Sequence, residues 1–302
     1  MTDAPNSAPE SWRVVVFTNI PGGVIYSLVD EVVRPLGHRV VGVVTSPGPK
    51  RRRSPTYLEV VAAVSPGVDV IVSNHPERWA AMLAPLRPDL IISGGFPWRI
   101  PADVLALPRL GAINMHPALL PRYRGPAAIE WALRNGDAEL GFTIHRLSPD
   151  FDTGSILAQV RIPIADEDDI AALTSKFGPV LPGLLGQALE RVAQGDPGEP
   201  QDEAEATYAG LFDDEWRIID WSQPARTIHN QVRSWIGLRD IPLGAIGEID
   251  GETMQITKTR LVADEPTKPA STPPGTVIRR DGERLVVQCG DGPIEILAWT
   301  PA

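Results

Sequence analysis

Asn114, His116 and Asp152 are the side chains in this sequence whose types could do chemistry together. An amide, an imidazole and a carboxylate can polarise one carbonyl and move one proton. Asn114 can donate an amide N–H to an oxyanion. His116 can donate when protonated or shuttle a proton near neutral pH. Asp152 can hold the imidazole in its useful tautomer and favour its charged form. The set suits direct attack of an amine on a carbonyl carbon, which creates an oxyanion and a proton to lose. It does not suit a covalent hydrolase, because Gly-x-Ser-x-Gly is absent. The single Cys289 excludes a cysteine-based zinc site and an intramolecular disulfide framework. His116 and Asp152 could ligate a metal, but His-Glu-x-x-His is absent and the other histidines have no ligand-like spacing. Taken singly, each of the three also reads as a satisfied polar group at a strand end.

Two apolar runs must position them. Leu110, Ala112 and Ile113 lead into Asn114 and His116, and Phe142 to Leu147 leads into Pro149-Asp150-Phe151-Asp152-Thr153-Gly154. If these runs are parallel neighbours in one sheet, the three polar groups meet at its carboxyl edge, where open α/β sheets keep their sites. The preceding chain supplies such a sheet. Short β-branched runs at Trp12 to Thr18, Arg39 to Thr45, Val68 to Val72 and Pro88 to Ser93 read as strands, the first of them buried. Helical spacing over Val24 to Leu36, Thr56 to Val64, Glu77 to Leu86, Ala102 to Leu105 and Pro126 to Arg134 fills the gaps. This alternation predicts an α/β fold with a doubly wound, Rossmann-like parallel sheet. Ser155 to Ile164 adds a strand, and Asp168 to Ala193 a long helix interrupted at Gly178-Pro179 and near Pro182.

The turn Asn19 to Gly23 offers glycines to an anion but is not Gly-x-Gly-x-x-Gly, so it makes no dinucleotide fingerprint. Gly94-Gly95 permits close backbone approach by a ligand, and Phe96 and Trp98 could wall a flat ring. Lys50 to Arg53 is a basic loop, read either as a solvated surface or as a finger touching phosphate.

Gly195 to Gln201 reads as a linker, rich in turn residues and without periodicity. Beyond it, a helix from Gln223 to Ser234 and about five short strands separated by Asp-Gly pairs suggest a small open barrel of OB type. The domain reading is a disordered lead over 1–11, a catalytic domain over 12–194, a linker over 195–206 and an OB-like β-barrel domain over 207–302. The sequence has 43% hydrophobic and 22% charged residues, enough for a real core. No run approaches the ~18 apolar residues of a membrane span, and the polar N-terminus lacks signal-peptide character. A cytoplasmic enzyme is the expectation. The net charge of −10 argues against a generally basic nucleic-acid binder.

Asn114-x-His116, Leu119 to Gly125 (LLPRYRG) and Asp152-Thr153-Gly154-x-Ile156 together resemble the folate-dependent formyltransferase family. Thr207 to Gly210, Ile219-Asp220-Trp221 and Ala225 to Arg233 resemble the start of its C-terminal domain. The resemblance implies that Asn114, His116 and Asp152 are catalytic. It implies 10-formyltetrahydrofolate as formyl donor, no metal, and a pterin bound between the Phe96–Pro101 and Pro149–Asp152 loops. Gly95, Phe96, Pro97, Trp98, Ile100, Asp150 and Phe151 are then the donor-binding candidates, and Asn19, Gly22, Tyr123 and Arg124 the acceptor-binding candidates. Ile228 to Arg233 looks more like the sugar-nucleotide and dehydrogenase branches than the methionyl-tRNA branch. Thr18-Asn19-Ile20-Pro21 also replaces the Gly-Thr-Pro turn usual in methionyl-tRNA enzymes. From Asp202 onward acids outnumber bases, which suits a polyphosphate partner poorly. The expected acceptor is therefore a small-molecule amine, such as an amino sugar. Methionyl-tRNA, for which Lys50 to Arg53 is a basic loop in the right place, and water are the alternatives. A homodimer paired through the C-terminal domain stays open.

Overall fold

The computed structural model describes residues 11–48, 55–235, 244–262, 272–282 and 284–302. The expected lead-in up to residue 10 and the basic loop Lys50 to Arg53 lie outside the described residues.

Seven strands make the larger sheet: β1 (Arg13–Thr18), β2 (Arg39–Thr45), β3 (Asp69–Val72), β4 (Leu90–Gly94), β5 (Ala112–His116), β6 (Glu139–Arg146) and β7 (Ile156–Pro163). Their order is β3-β2-β1-β4-β5-β6-β7. Pairing is parallel from β3 through β5, as expected of a doubly wound fold. The strand order reverses between β1 and β4, so the crevice outside their carboxyl ends is the natural ligand position. Register sets Thr18 opposite Gly94, and Gly94 opposite Met115, which puts Asn114 and His116 at this edge. β1 and β4 are buried almost throughout, which explains their unbroken apolar sequences.

The intervening helices are α1 (Val24–Val33), α2 (Thr56–Ala63), α3 (Trp79–Leu83), α4 (Ala102–Leu105), α5 (Ala128–Asn135), α6 (Ile170–Phe177) and α7 (Leu181–Ala193). α1 ends three residues before the expected Leu36, because Pro35 has no N–H to continue the ladder. The break expected at Gly178-Pro179 divides the helical stretch into α6 and α7, whereas the second break expected near Pro182 is absent, because Pro182 sits in the first turn of α7, where no N–H is needed.

The chain divides into two compact units. One comprises the described residues up to Arg124 with Phe142–Val160 and Gly178–Ala206. Its core beneath the sheet edge gathers Phe17, Val44, Trp79, Leu83, Ile91, Ile100 and Val104. Trp79 is fully buried, with Phe17 edge-on at 5.8 Å and Trp98 edge-on at 6.4 Å between ring centroids.

The other unit comprises Gly125–Gly141, Arg161–Phe177 and Thr207–Ala302. It contains α8 (Ala225–Ser234) and five strands: β8 (Ala245–Ile249), β9 (Glu252–Leu261), β10 (Val277–Asp281), β11 (Arg284–Gln288) and β12 (Pro293–Pro301). These form an antiparallel sheet in the order β10-β11-β12-β9-β8. Asp250 and Gly251 both take positive φ, which is what a two-residue hairpin turn between β8 and β9 requires. α8 contributes Ile228 and Val232 to a core with Leu285, Ile294 and Ile296. Its polar residues bind too. His229 Nε2 lies 2.7 Å from the Asp166 carbonyl, and Arg233 donates to the carbonyls of Ala165 and Asp168 at 3.0 and 3.2 Å.

Truncating Trp79 to Ala removes the largest side chain of the first core. It should lower the unfolding free energy by ~3–5 kcal/mol, read from urea melts. Trp79→Phe should cost less, since it keeps most of the ring and deletes an indole N–H that has no acceptor.

Candidate active site

β5 and β6 are neighbours, but antiparallel rather than parallel. Ile113 faces Arg146 and His116 faces Thr143, so β6 ends beside the start of β5. Asp152 therefore does not emerge at the carboxyl edge by strand direction. Its loop turns back across the sheet. Leu147 N donates to the Ala112 carbonyl and Arg146 N to the Ser155 carbonyl, both at 2.8 Å. The return is so close that a Cβ at Gly154 would sit 1.7 Å from the Arg146 carbonyl oxygen. Only glycine fits there. Asp152 itself has φ 57°, a left-handed conformation that Asp tolerates better than most residues.

This loop brings the three expected polar side chains together. The Asn114 amide nitrogen donates to Asp152 Oδ1 at 3.2 Å. His116 Nδ1 lies 3.7 Å from Asp152 Oδ2. His116 Nε2 donates to the Tyr123 carbonyl at 2.8 Å. A carbonyl only accepts, so the neutral His116 ring carries its hydrogen on Nε2 and leaves the Nδ1 lone pair facing Asp152. Burial holds the His116 pKa below its ordinary value, while the Asp152 carboxylate and the Tyr123 carbonyl pull the other way. At neutral pH His116 is thus a base with its lone pair at Nδ1.

A fourth member was not legible as such in the sequence. His145 is fully buried in β6, opposite Asn114. Its Nδ1 lies 2.7 Å from the Arg146 carbonyl and must donate there. Its Nε2 lone pair then accepts the second Asn114 amide hydrogen, at 3.2 Å. Both Asn114 hydrogens are engaged, to His145 and to Asp152. Donation to an oxyanion requires one of these bonds to give way. The signal for His145 was a polar side chain two residues from Thr143 inside a strand buried on both faces.

The donor-binding candidates line the β4 loop and the returning loop. Gly95 has φ 60°, the left-handed region that favours glycine, and a Cβ there would press on the tip of the Ile20 side chain at 2.3 Å. Phe96 and Trp98 are not free walls. Phe96 packs edge-on to Phe17 and at 5.4 Å from Trp79, and the Trp98 indole donates to Ser46 Oγ at 2.8 Å. Ile100 is in the core, and Pro97 is half-buried. The exposed Phe151 ring and Asp150 face Arg99, whose guanidinium lies 4.9 Å above the ring and 3.7 Å from the carboxylate.

The acceptor-binding candidates are mostly engaged within the protein. The Asn19 carboxamide is buried and bonds Thr45 Oγ1 and both the N–H and carbonyl of Ser46, clamping β1 to the end of β2. Gly22 N–H faces the Glu59 carboxylate at 3.1 Å, so the anion expected at this turn is the protein's own. Tyr123 acts through its carbonyl on His116. Arg124 is buried and forks onto Glu203 and Gln201. Gln201 lies in the expected linker and bonds the Asp152 loop. Among the described residues no group of three or more His, Cys, Asp or Glu side chains is placed to hold a metal ion. No described helix is long and apolar enough to cross a membrane.

Residues 13–188 match the formyl transferase family, and residues 212–302 match the formyl transferase C-terminal domain. This chain is a formyltransferase. Its sequence is 34% identical to methionyl-tRNA formyltransferase of Pelobacter propionicus over 95% of this chain and 88% of the relative. It is 35% identical to that of Roseiflexus sp. strain RS-1, again over 95% and 88%. WlaRD, a sugar 3N-formyltransferase, shares the fold at a TM-score of 0.65 and 16% identity, over 95% of this chain and 97% of WlaRD. HypX from Aquifex aeolicus in complex with tetrahydrofolic acid does so at 0.64 and 20% identity. That match covers 97% of this formyltransferase and 44% of HypX. The family expected from the Asn-x-His and Asp-Thr-Gly motifs is thus the one to which the chain belongs.

Three outcomes test the site. Followed by NMR, His116 should titrate below 6.5. Asp152→Asn should move it lower still, because the carboxylate is the largest influence favouring its charged form. Gly154→Ala should displace the returning loop or cost ~3 kcal/mol or more by overpacking, read as a fall in melting temperature.

Proposed function

We propose that this formyltransferase moves the formyl group of 10-formyltetrahydrofolate to the α-amine of methionyl-tRNA by direct attack. The observation that carries the acceptor is the 34–35% identity to methionyl-tRNA formyltransferases along 95% of the chain. This departs from the small-molecule acceptor that the sequence alone favours.

The chemistry rests on the buried quartet. The amine nitrogen bonds to the formyl carbon, and the carbonyl π pair moves to oxygen. His116 Nδ1 accepts the proton that the nitrogen loses. As that ring becomes charged, Asp152 Oδ2 stabilises it across 3.7 Å. The attraction draws Asp152 toward His116 and away from Asn114, which frees an Asn114 N–H for the oxyanion. Collapse of the oxyanion breaks the bond to folate N10, which leaves with the proton returned by His116. The donor fits the loops that carry Phe151, Asp150 and Gly95 to Ile100. Phe151 is an exposed ring, and Gly95 is an exposed backbone position just past the end of β4.

A small-molecule amine is the second reading. It is favoured by the excess of acids over bases from Asp202 onward, which opposes a polyphosphate partner. The acceptor screen separates the readings. Release of tetrahydrofolate is followed with charged initiator tRNA, with amino sugars and with no acceptor. The tRNA reading expects turnover with tRNA that weakens as salt rises. Neutralising Lys50 to Arg53 should weaken tRNA use and flatten that salt dependence. No formylation of methionyl-tRNA at any salt sinks this reading. Formate release without any amine would instead identify a hydrolase. Asn114→Ala and His116→Ala should each lower kcat by ~10²–10³-fold, and unchanged turnover would refute the mechanism.

A further inference from the structure

We propose that Gln201 is a positioning residue that holds the Asp152 carboxylate in its working place and so acts on the proton transfer at His116. The proposal rests on the reading of Asp152 and His116 given above.

Gln201 reaches the loop because its own segment is tied down. Arg146 donates to the Asp196 carbonyl at 2.7 Å and to the Leu110 carbonyl at 2.8 Å. Glu199 and Ile156 exchange backbone bonds of 2.8 and 2.9 Å, extending the chain beside β7. The next residue but one, Gln201, then directs its amide nitrogen at two carbonyls of the returning loop. Nε2 donates to the Asp152 carbonyl at 2.7 Å and to the Gly154 carbonyl at 2.8 Å. These bonds bracket Thr153 and fix the backbone on both sides of the turn where Asp152 takes its left-handed conformation.

The amide cannot be turned around. Oε1 faces Arg124, accepting from Nε at 3.0 Å and Nη2 at 2.8 Å. A guanidinium only donates and a carbonyl only accepts, so oxygen must face Arg124 and nitrogen must face the loop. Arg124 is held in turn by the Glu203 carboxylate, through Nη1 at 2.9 Å and Nη2 at 2.7 Å. Arg124 directly follows Tyr123, whose carbonyl fixes His116 Nε2. One dipeptide therefore sets both partners of the proton relay: Tyr123 orients the imidazole, and Arg124, through Gln201, orients the carboxylate. Loops can be fixed at many points, but this fixation falls on the backbone of the one residue whose carboxylate faces His116.

The test uses Gln201→Met, which removes both donors at similar volume. Gln201→Glu is the second variant, keeping the acceptor for Arg124 while facing the two carbonyls with oxygen. Each should lower kcat by ~10–100-fold, with little change in KM for the amine, the range common for residues that orient a catalytic group. Each should also lower the NMR titration midpoint of His116, because a displaced Asp152 no longer favours the charged ring. The midpoint needs no turnover. If the wild-type chain fails to transfer formyl groups, the proposed function falls while the His116 titration still decides the role of Gln201. Wild-type kcat and an unmoved His116 midpoint in either folded variant would overturn the proposal, and so would a lowered melting temperature with both quantities unchanged.

Discussion

A carboxylate taken out of water must find partners, and Asp152 finds them only where its loop crosses back over the sheet. Its side chain is 9% exposed and accepts from Asn114 Nδ2 at 3.2 Å, with His116 Nδ1 and His145 Nε2 at 3.7 and 3.5 Å, each able to pair with it once protonated. An unpaired buried carboxylate would cost several kcal/mol. The surrounding structure answers that demand. The antiparallel β6 requires the return, Gly154 makes it close enough, and Gln201 secures it. The left-handed backbone at Asp152 fits the same logic, since strain of ~1–3 kcal/mol persists only where neighbouring contacts over-determine it.

The resting arrangement is satisfied rather than poised. Both Asn114 hydrogens, the His116 Nε2 hydrogen and the His145 Nδ1 hydrogen have acceptors. The Nδ1 lone pair of His116 faces the Asp152 carboxylate at 3.7 Å. With His116 as the base in the reaction proposed above, proton uptake creates an attraction absent beforehand. That is a stabilisation realised during reaction and not in the ground state.

The sheet was legible because parallel strands buried on both faces leave near-continuous apolar runs, as in β1 and β4. Asn114, His116 and Asp152 were legible because they interrupt such runs at their ends. Strand direction was not, since burial pattern carries no polarity: Phe142 to Leu147 reads the same whichever way it pairs. Tyr123 acts through a carbonyl, which every residue possesses, so its residue type could not announce that role. Arg124 and Asn19 looked like ligand contacts because their donors are indistinguishable from structural ones until the acceptors are known. Gln201 was hidden by its setting. Gly-Asp-Pro-Gly-Glu-Pro composition reads as linker, yet here it is an extended strap bonded along its length.

The rim contact between Arg99 and Phe151 bears on kinetics. It joins the tips of two loops, both exposed, through a cation lying 4.9 Å from a ring centroid. Such a pair at an exposed site contributes ~0.5–1 kcal/mol, close to thermal energy. The loop tips therefore part and rejoin spontaneously, on the timescale of side-chain and loop motion. A closure this shallow would neither hold a molecule bound there in place nor delay its departure. For a donor bound as proposed, residence time would then be set by contacts deeper along the edge of β4 and β5.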